Sequence, residues 1–119
     1  MSEIIRNITI GRPDRKNPQA PMPDIPITGE GNTTVSRKQA ILSLIAEKGV
    51  YLLSDAGSSN GTYYKDGDTW VKADKSRVTA QTMVRFGTFE ETIGALIHVY
   101  NRSHPPYREK SRVIDPRIQ

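Results

Sequence analysis

SRKQAILSLIAEKG, residues 36–49, can be read in two ways that lead to different architectures. Ser36 followed by Gln39 has the spacing of a capping box. Ala40, Ile41, Leu44 and Ile45 fall on one helical face, and Gly49 supplies a C-terminal stop. Local rules therefore favour a helix. The rival is a buried strand, because a short apolar run is not assigned by periodicity alone and tertiary context overrules propensity.

The sequence on either side is written in the language of strands. IIRNITI (4–10) is rich in β-branched residues and sets Ile8 and Ile10 on one face at period two. Downstream, VYLLS (50–54), TYYK (62–65), TWVK (69–72), RVTA (77–80), MVRFG (83–87) and IGALIHVY (93–100) are further short β-like runs. Asp66-Gly67 offers the positive φ angles of a tight hairpin between two of them. Many short strands with frequent turns predict a sandwich or small barrel. Five prolines between Pro13 and Pro26 resist both helix and central strand, so that span is expected to be a long loop. Residues 101–119 carry three prolines and much charge without a period. The expected organisation is one domain over 1–100 and a partly disordered linker or docking tail over 101–119.

Composition narrows the function. At 119 residues, with 35% hydrophobic and 25% charged, the chain suits a single globular domain with its own core. It has no cysteine, which removes disulfides, thiol nucleophiles and thiolate metal sites. No apolar run reaches the roughly 20 residues of a membrane span. MSEIIRN lacks the apolar core of a secretory signal, so the expected location is cytoplasmic. Of the net charge of +4, residues 101–119 hold +3 (five basic, two acidic), leaving the domain near neutral. Tyr51, Tyr63, Tyr64, Trp70 and Phe86 are scattered through strand-like runs rather than set along a basic groove, which argues against nucleic acid. The histidines are His98, in an apolar run, and His104, before two prolines. With no Walker loop, nucleophile elbow or paired-histidine motif, neither an enzyme nor a metal or cofactor is expected.

Three clusters combine a turn-permissive or capping residue with a strong donor: Gly11-Arg12, Ser36-Arg37, and Ser58-Ser59-Asn60-Gly61-Thr62. Taken singly, each is a common turn or cap. A phosphate group, with about −1.5 to −2 charges and three acceptor oxygens, needs such donors to converge. Arginine gives a planar fork, serine a short hydroxyl, and glycine lets backbone amides approach closely.

In their order the motifs resemble the forkhead-associated (FHA) domain family. The family pattern of Gly-Arg, Asp-Ile-x-hydrophobic, Val-Ser-Arg, Asp-x-x-Ser-x-Asn-Gly-Thr and Phe-Gly is similar to Gly11-Arg12, Asp24-Ile25-Pro26-Ile27, Val35-Ser36-Arg37, Asp55 through Thr62, and Phe86-Gly87. The resemblance covers about residues 4–100. It implies an all-β fold of the SMAD/FHA type, a sandwich of two twisted antiparallel sheets with binding loops at one end. It also implies that residues 39–46 form a strand. The implied function is a protein-interaction module for phosphothreonine peptides made by Ser/Thr kinases, without nucleic acid or membrane. By the same resemblance Arg12 grips the phosphate, Ser36 donates its hydroxyl, and Arg37 adds donors. Ser59 supplies a further phosphate-facing hydroxyl and Asn60 holds the peptide main chain. Gly11, Gly61 and Thr62 shape the loops. Gln39 stands where the family usually has a loop-bracing histidine. Glutamine can donate and accept, so bracing in altered geometry is expected; the alternative is a phosphate-independent scaffold or assembly protein with a degenerate pocket.

Overall fold

The segment open to two readings is a strand. The computed structural model describes residues 3–14, 16–17, 19–29 and 32–103. In it β3 (Ala40–Ile45) lies between β1 (Ile4–Gly11) and β4 (Tyr51–Asp55), antiparallel to both. Both of its edges are therefore hydrogen-bonded. Ala40 and Leu42 are buried at period two, and the intervening Ile41 is only half-buried. Complete burial of an aliphatic side chain such as Leu42 stabilises by about 1.5–3 kcal/mol.

Two sheets face one another. The first has the order β2-β1-β3-β4-β7, with β2 (Ile25–Pro26) and β7 (Ser76–Val78) at its edges. The second has the order β6-β5-β8-β9, from β5 (Thr62–Asp66), β6 (Thr69–Lys72), β8 (Met83–Phe86) and β9 (Phe89–Thr92). Ile8, Ile10, Leu42, Leu53 and Val78 of the first meet Val84 and Phe86 of the second in one core. Asp66 pairs with Thr69, so the β5–β6 turn is Gly67-Asp68, one residue beyond the dipeptide that signals it in the sequence.

Three elements depart from the sequence reading. IGALIHVY is not a strand but the start of helix α1 (Ile93–Ser103). Ile93, Leu96 and Tyr100 are its buried face, a spacing of three and four that a strand reading overlooks, while His98 is exposed. Thr92 caps the helix by accepting from the Ala95 amide at 3.2 Å. The helix runs through Ser103; residues 104–119, and His104 with them, lie outside the described residues. Secondly, β9 pairs with β8 although FEET carries two glutamates; Glu90 and Glu91 sit on an edge strand, where charge is tolerated. Thirdly, the proline-rich span ends in a two-residue strand, β2, whose pairing with β1 is parallel.

Gly11 closes β1 where backbone must meet backbone. A Cβ there would overlap the Arg37 carbonyl oxygen and stand 2.7 Å from the Arg37 carbonyl carbon. The Arg12 amide then donates to Ser36 O at 3.0 Å, and Gly11 O accepts from Ile27 N at 2.8 Å. Gly11→Ala is expected to destabilise the fold by about 1–3 kcal/mol, the cost of overpacking, as measured by chemical denaturation. Wild-type stability in this variant would show that the two backbones separate freely.

Candidate functional site

Gln39, fully buried at 0% exposure, joins the three motif segments. Its backbone amide donates to Ile10 O at 3.0 Å, and its backbone carbonyl accepts from Ala56 N at 3.0 Å. Its side-chain Oε1 accepts from Ser36 N at 2.8 Å, and Nε2 donates to Gly61 O and to Thr62 Oγ1, each at 2.9 Å. Ser36 N can only donate and Gly61 O can only accept, so these partners fix the amide in one orientation. The end of β1, the 36 turn and the 55–62 loop are thus held by one residue. Gln39 thus hydrogen-bonds to each of these segments.

The 55–62 loop is wound around the Asp55 carboxylate. Oδ2 accepts from Gly57 N at 2.9 Å and Ser58 N at 3.0 Å. Oδ1 accepts from the Ser58 hydroxyl and, at 2.7 Å, from the Thr62 hydroxyl. Ser58 Oγ in turn accepts from Gly61 N at 2.9 Å. Gly61 has φ +86°, a left-handed conformation that a side chain resists, and a Cβ would stand 2.7 Å from the Tyr63 ring. The loop's interior donors are consumed internally, and its tip, Ser59 and Asn60, is exposed. Partial burial by itself raises the Asp55 pKa. The hydrogen bonds from Ser58, Thr62 and Gly57 together outweigh that and hold the carboxyl below its ordinary value.

Four of the sequence-predicted residues converge on the turn 34–36. Arg12 is half-buried, and its Nε donates to Val35 O at 2.9 Å, leaving the two terminal guanidinium nitrogens without a partner among the described residues. Ser36 Oγ accepts from Ser59 N at 2.9 Å, which occupies a lone pair and leaves the hydroxyl proton available. Asn60 Nδ2 donates to Thr34 O at 3.0 Å. Thr34 is steadied in turn by Thr88, whose amide donates to Thr34 Oγ1 at 2.9 Å. Arg37 stands apart. Its side chain is 54% exposed, its Nε lies 3.8 Å from Asp14 Oδ2, and its contribution to the turn is the carbonyl packed against Gly11.

In the sequence Asp55 and Ser58 stand out only as members of the 55–62 motif, with no individual role, and Thr34 belongs to no motif; all three build the loops that present the others. The Asp-x-x-Ser spacing is the signal that marks Asp55 and Ser58, since an Asp side chain readily accepts from amides two and three residues on. Thr34 has no comparable signal, because its partners, Asn60 and Thr88, are distant in sequence. No group of three or more His, Asp or Glu among the described residues is placed to hold a metal. No helix among them is long and apolar enough to cross a membrane. The chemistry on offer at the loops is donation to an acceptor-rich ligand: guanidinium, hydroxyl and amide.

Comparison with known proteins yields a family model described as the FHA domain, matching residues 8–87. Among solved structures, the chain is similar to the FHA domain of the CT664 protein from Chlamydia trachomatis. The TM-score there is 0.52 at 23% identity, covering 74% of this chain and 74% of that one. It is also similar to the FhaA FHA domain complexed with the intracellular domain of Rv3910, with TM-score 0.49 and 23% identity over 71% of this chain and 75% of that one. No curated protein matches in sequence.

Gln39→Ala leaves the Ser36 amide and Gly61 carbonyl without their partner and opens a cavity. It is expected to cost at least about 2 kcal/mol in denaturation experiments; a near-neutral effect would show that Gln39 is not the brace. Asp55, with a depressed folded pKa, stabilises the fold above its unfolded value of about 4 and loses that contribution as pH falls through the lower folded value. The stability gap between wild type and Asp55→Asn should therefore stay level near neutrality and narrow on acidification below about pH 4. Urea denaturation across that range checks it, and a gap that stays constant in acid contradicts the assigned role.

Proposed function

The chain belongs to the FHA-domain family, whose model spans residues 8–87, and on that premise we propose that its loop end binds phosphothreonine peptides presented by Ser/Thr kinase substrates in the cytoplasm. FHA domains are protein-interaction modules, and the role proposed is binding rather than catalysis. One observation carries the reading: the Arg12 guanidinium is anchored by Nε to Val35 O and keeps its two terminal nitrogens unpartnered among the described residues, beside the Ser36 turn. A planar fork fixed at one nitrogen and open at two suits a tetrahedral oxyanion.

In this reading the Arg12 fork takes two phosphate oxygens and the Ser36 hydroxyl donates to the phosphate. Ser59 Oγ, exposed at the loop tip, adds a donor. Asn60, held through Nδ2 by Thr34 O, offers its carbonyl oxygen to a peptide amide. Arg37 contributes charge from the rim, where a phosphate competes with its long 3.8 Å contact to Asp14. Gly11, Gly61, Thr62 and Gln39 hold the loops. The complete set of partners around Gln39 supports a formed pocket over the phosphate-independent scaffold that loss of the usual histidine raises.

Two or three charge-assisted hydrogen bonds at roughly 1.5–3 kcal/mol each give at least hundreds-fold discrimination against the unmodified peptide. Preference for threonine over serine needs more than one buried methyl, which at about 0.8 kcal/mol is worth some fourfold; the stiffer β-branched side chain adds preorganisation. Titration with phosphothreonine, phosphoserine and unmodified peptides is expected to rank them in that order, with binding lost in Arg12→Ala. Equal affinity for all three peptides would refute the reading. Asn60→Ala should weaken phosphopeptide binding with little change in melting temperature, and a large stability loss with binding intact would remove its proposed role.

A further inference from the structure

We propose that Asn60 is a modification site: its side-chain amide is converted spontaneously to a carboxyl by attack of the Gly61 amide nitrogen, at a rate set by the hydrogen bonds of the 55–62 loop. The chain has five asparagines, and only Asn60 precedes a glycine. Asn7, Asn17, Asn32 and Asn101 are followed by Ile8, Pro18, Thr33 and Arg102. A side chain in the following residue obstructs the approach of its backbone nitrogen to the asparagine Cγ, and Pro18 has no N–H to lose. Glycine leaves that approach open. Asn60 is also exposed at the loop tip, within reach of water.

Water is the only co-reactant the step needs. The Gly61 nitrogen forms a bond to Asn60 Cγ, the Cγ–Nδ2 bond breaks, and Nδ2 departs as ammonia with the proton of the Gly61 amide. Water then opens the cyclic imide at either carbonyl carbon. Opening at Cγ gives aspartate, and opening at the main-chain carbonyl gives isoaspartate, in which the chain runs on through Cγ.

In the folded loop both reacting groups are committed elsewhere. Gly61 N, the nucleophile, donates to Ser58 Oγ at 2.9 Å, and Ser58 is itself held by Asp55. Nδ2, the leaving group, donates to Thr34 O at 3.0 Å. Gly61 O accepts from the buried Gln39 Nε2 at 2.9 Å, which pins the residue to the core on its other side. Reaction requires the first two bonds to open together, so its rate reports local opening of the loop. The product cannot restore them. A carboxylate at position 60 has acceptors only and no donor for Thr34 O, and the isoaspartate main chain is one carbon longer than the turn it replaces. Conversion also adds a negative charge beside Ser59, where a phosphate is proposed to bind; that consequence, unlike the chemistry, rests on the phosphopeptide reading.

The test ages the folded protein at mildly alkaline pH beside a synthetic peptide of residues 54–67, and maps the products by mass spectrometry with isoaspartate counted separately. Asn60 in wild type is expected to convert at least about tenfold more slowly than in the peptide, the effect of the hydrogen bonds that must open. Ser58→Ala, shown by thermal melts to be folded, should convert about two- to tenfold faster than wild type. Should that variant not fold, wild type in urea below its unfolding transition gives the same readout, and the rate at Asn60 should climb towards that of the peptide. Isoaspartate identifies attack by the Gly61 nitrogen, since direct hydrolysis of the side chain gives aspartate alone. Absence of isoaspartate at position 60, or a rate that neither Ser58→Ala nor urea raises, overturns the proposal. Asn60→Asp is expected to bind a phosphothreonine peptide at least about tenfold more weakly than wild type. If unmodified wild type shows no phosphate-dependent binding while Asn60 still yields isoaspartate, the phosphopeptide reading fails and the modification site stands.

Discussion

Gln39 is buried with two N–H donors and a carbonyl on its side chain, and each has to find a partner inside the protein or cost about 1–3 kcal/mol. The partners are Ser36 N, Gly61 O and Thr62 Oγ1, while its main chain adds Ile10 and Ala56. Segments more than 20 residues apart are thereby tied to the first residue before β3, itself clamped between β1 and β4. Loop position becomes a property of the core rather than of the loops. A glutamine in this place also has no proton to gain near neutrality, so the brace keeps the same hydrogen bonds over a pH range in which an imidazole would titrate.

The polar groups at the loop end divide by whether their capacity is used up. Asp55 accepts from Gly57, Ser58 and Thr62, and Ser58 both donates to Asp55 and accepts from Gly61, so these residues have little left for a ligand. Arg12 and Ser36 are different. One nitrogen of Arg12 and one lone pair of Ser36 are spent on fixing the side chain, and the remainder is unpartnered among the described residues. Partial use is what preorganisation requires, since an anchored donor loses less entropy when a ligand arrives than a freely rotating one.

Much of this arrangement was legible before the fold was known, and the failures have physical causes. The capping-box signal at Ser36 and Gln39 was real but incomplete: Ser36 N does donate to Gln39 Oε1, as in a helix N-terminus. The reciprocal bond is missing, because Ser36 Oγ accepts from Ser59 N and Gln39 N donates to Ile10 O. Long-range partners captured both groups, and no local rule sees them. In IGALIHVY the opposite happened. The spacing of Ile93, Leu96 and Tyr100 and the Thr92 cap were visible as helix signals, but a run of apolar residues among predicted strands hid them. Arg37 was named for its motif, and the structure gives the turn its carbonyl while its side chain stays largely exposed.

The prolines between 13 and 26 matter for a reason beyond breaking regular structure. Proline has no amide to donate, and among the described residues of this span pairing with β1 is confined to Ile25 and Pro26 at its end. Beside Thr9, Asp24 acts in place of a strand: its carboxylate accepts from the Thr9 amide, and its own amide donates to the Thr9 hydroxyl. One residue later the parallel pairing begins, and Ile25 and Ile27 enter the core at 1% and 4% exposure. The end of β1 is therefore held on one edge by β2 and on the other by Gln39 N, which donates to Ile10 O. Arg12 follows at once, with its amide bound to Ser36 O. The backbone that carries the Arg12 guanidinium is thus fixed from both sides, by β2 and by the 36–39 segment.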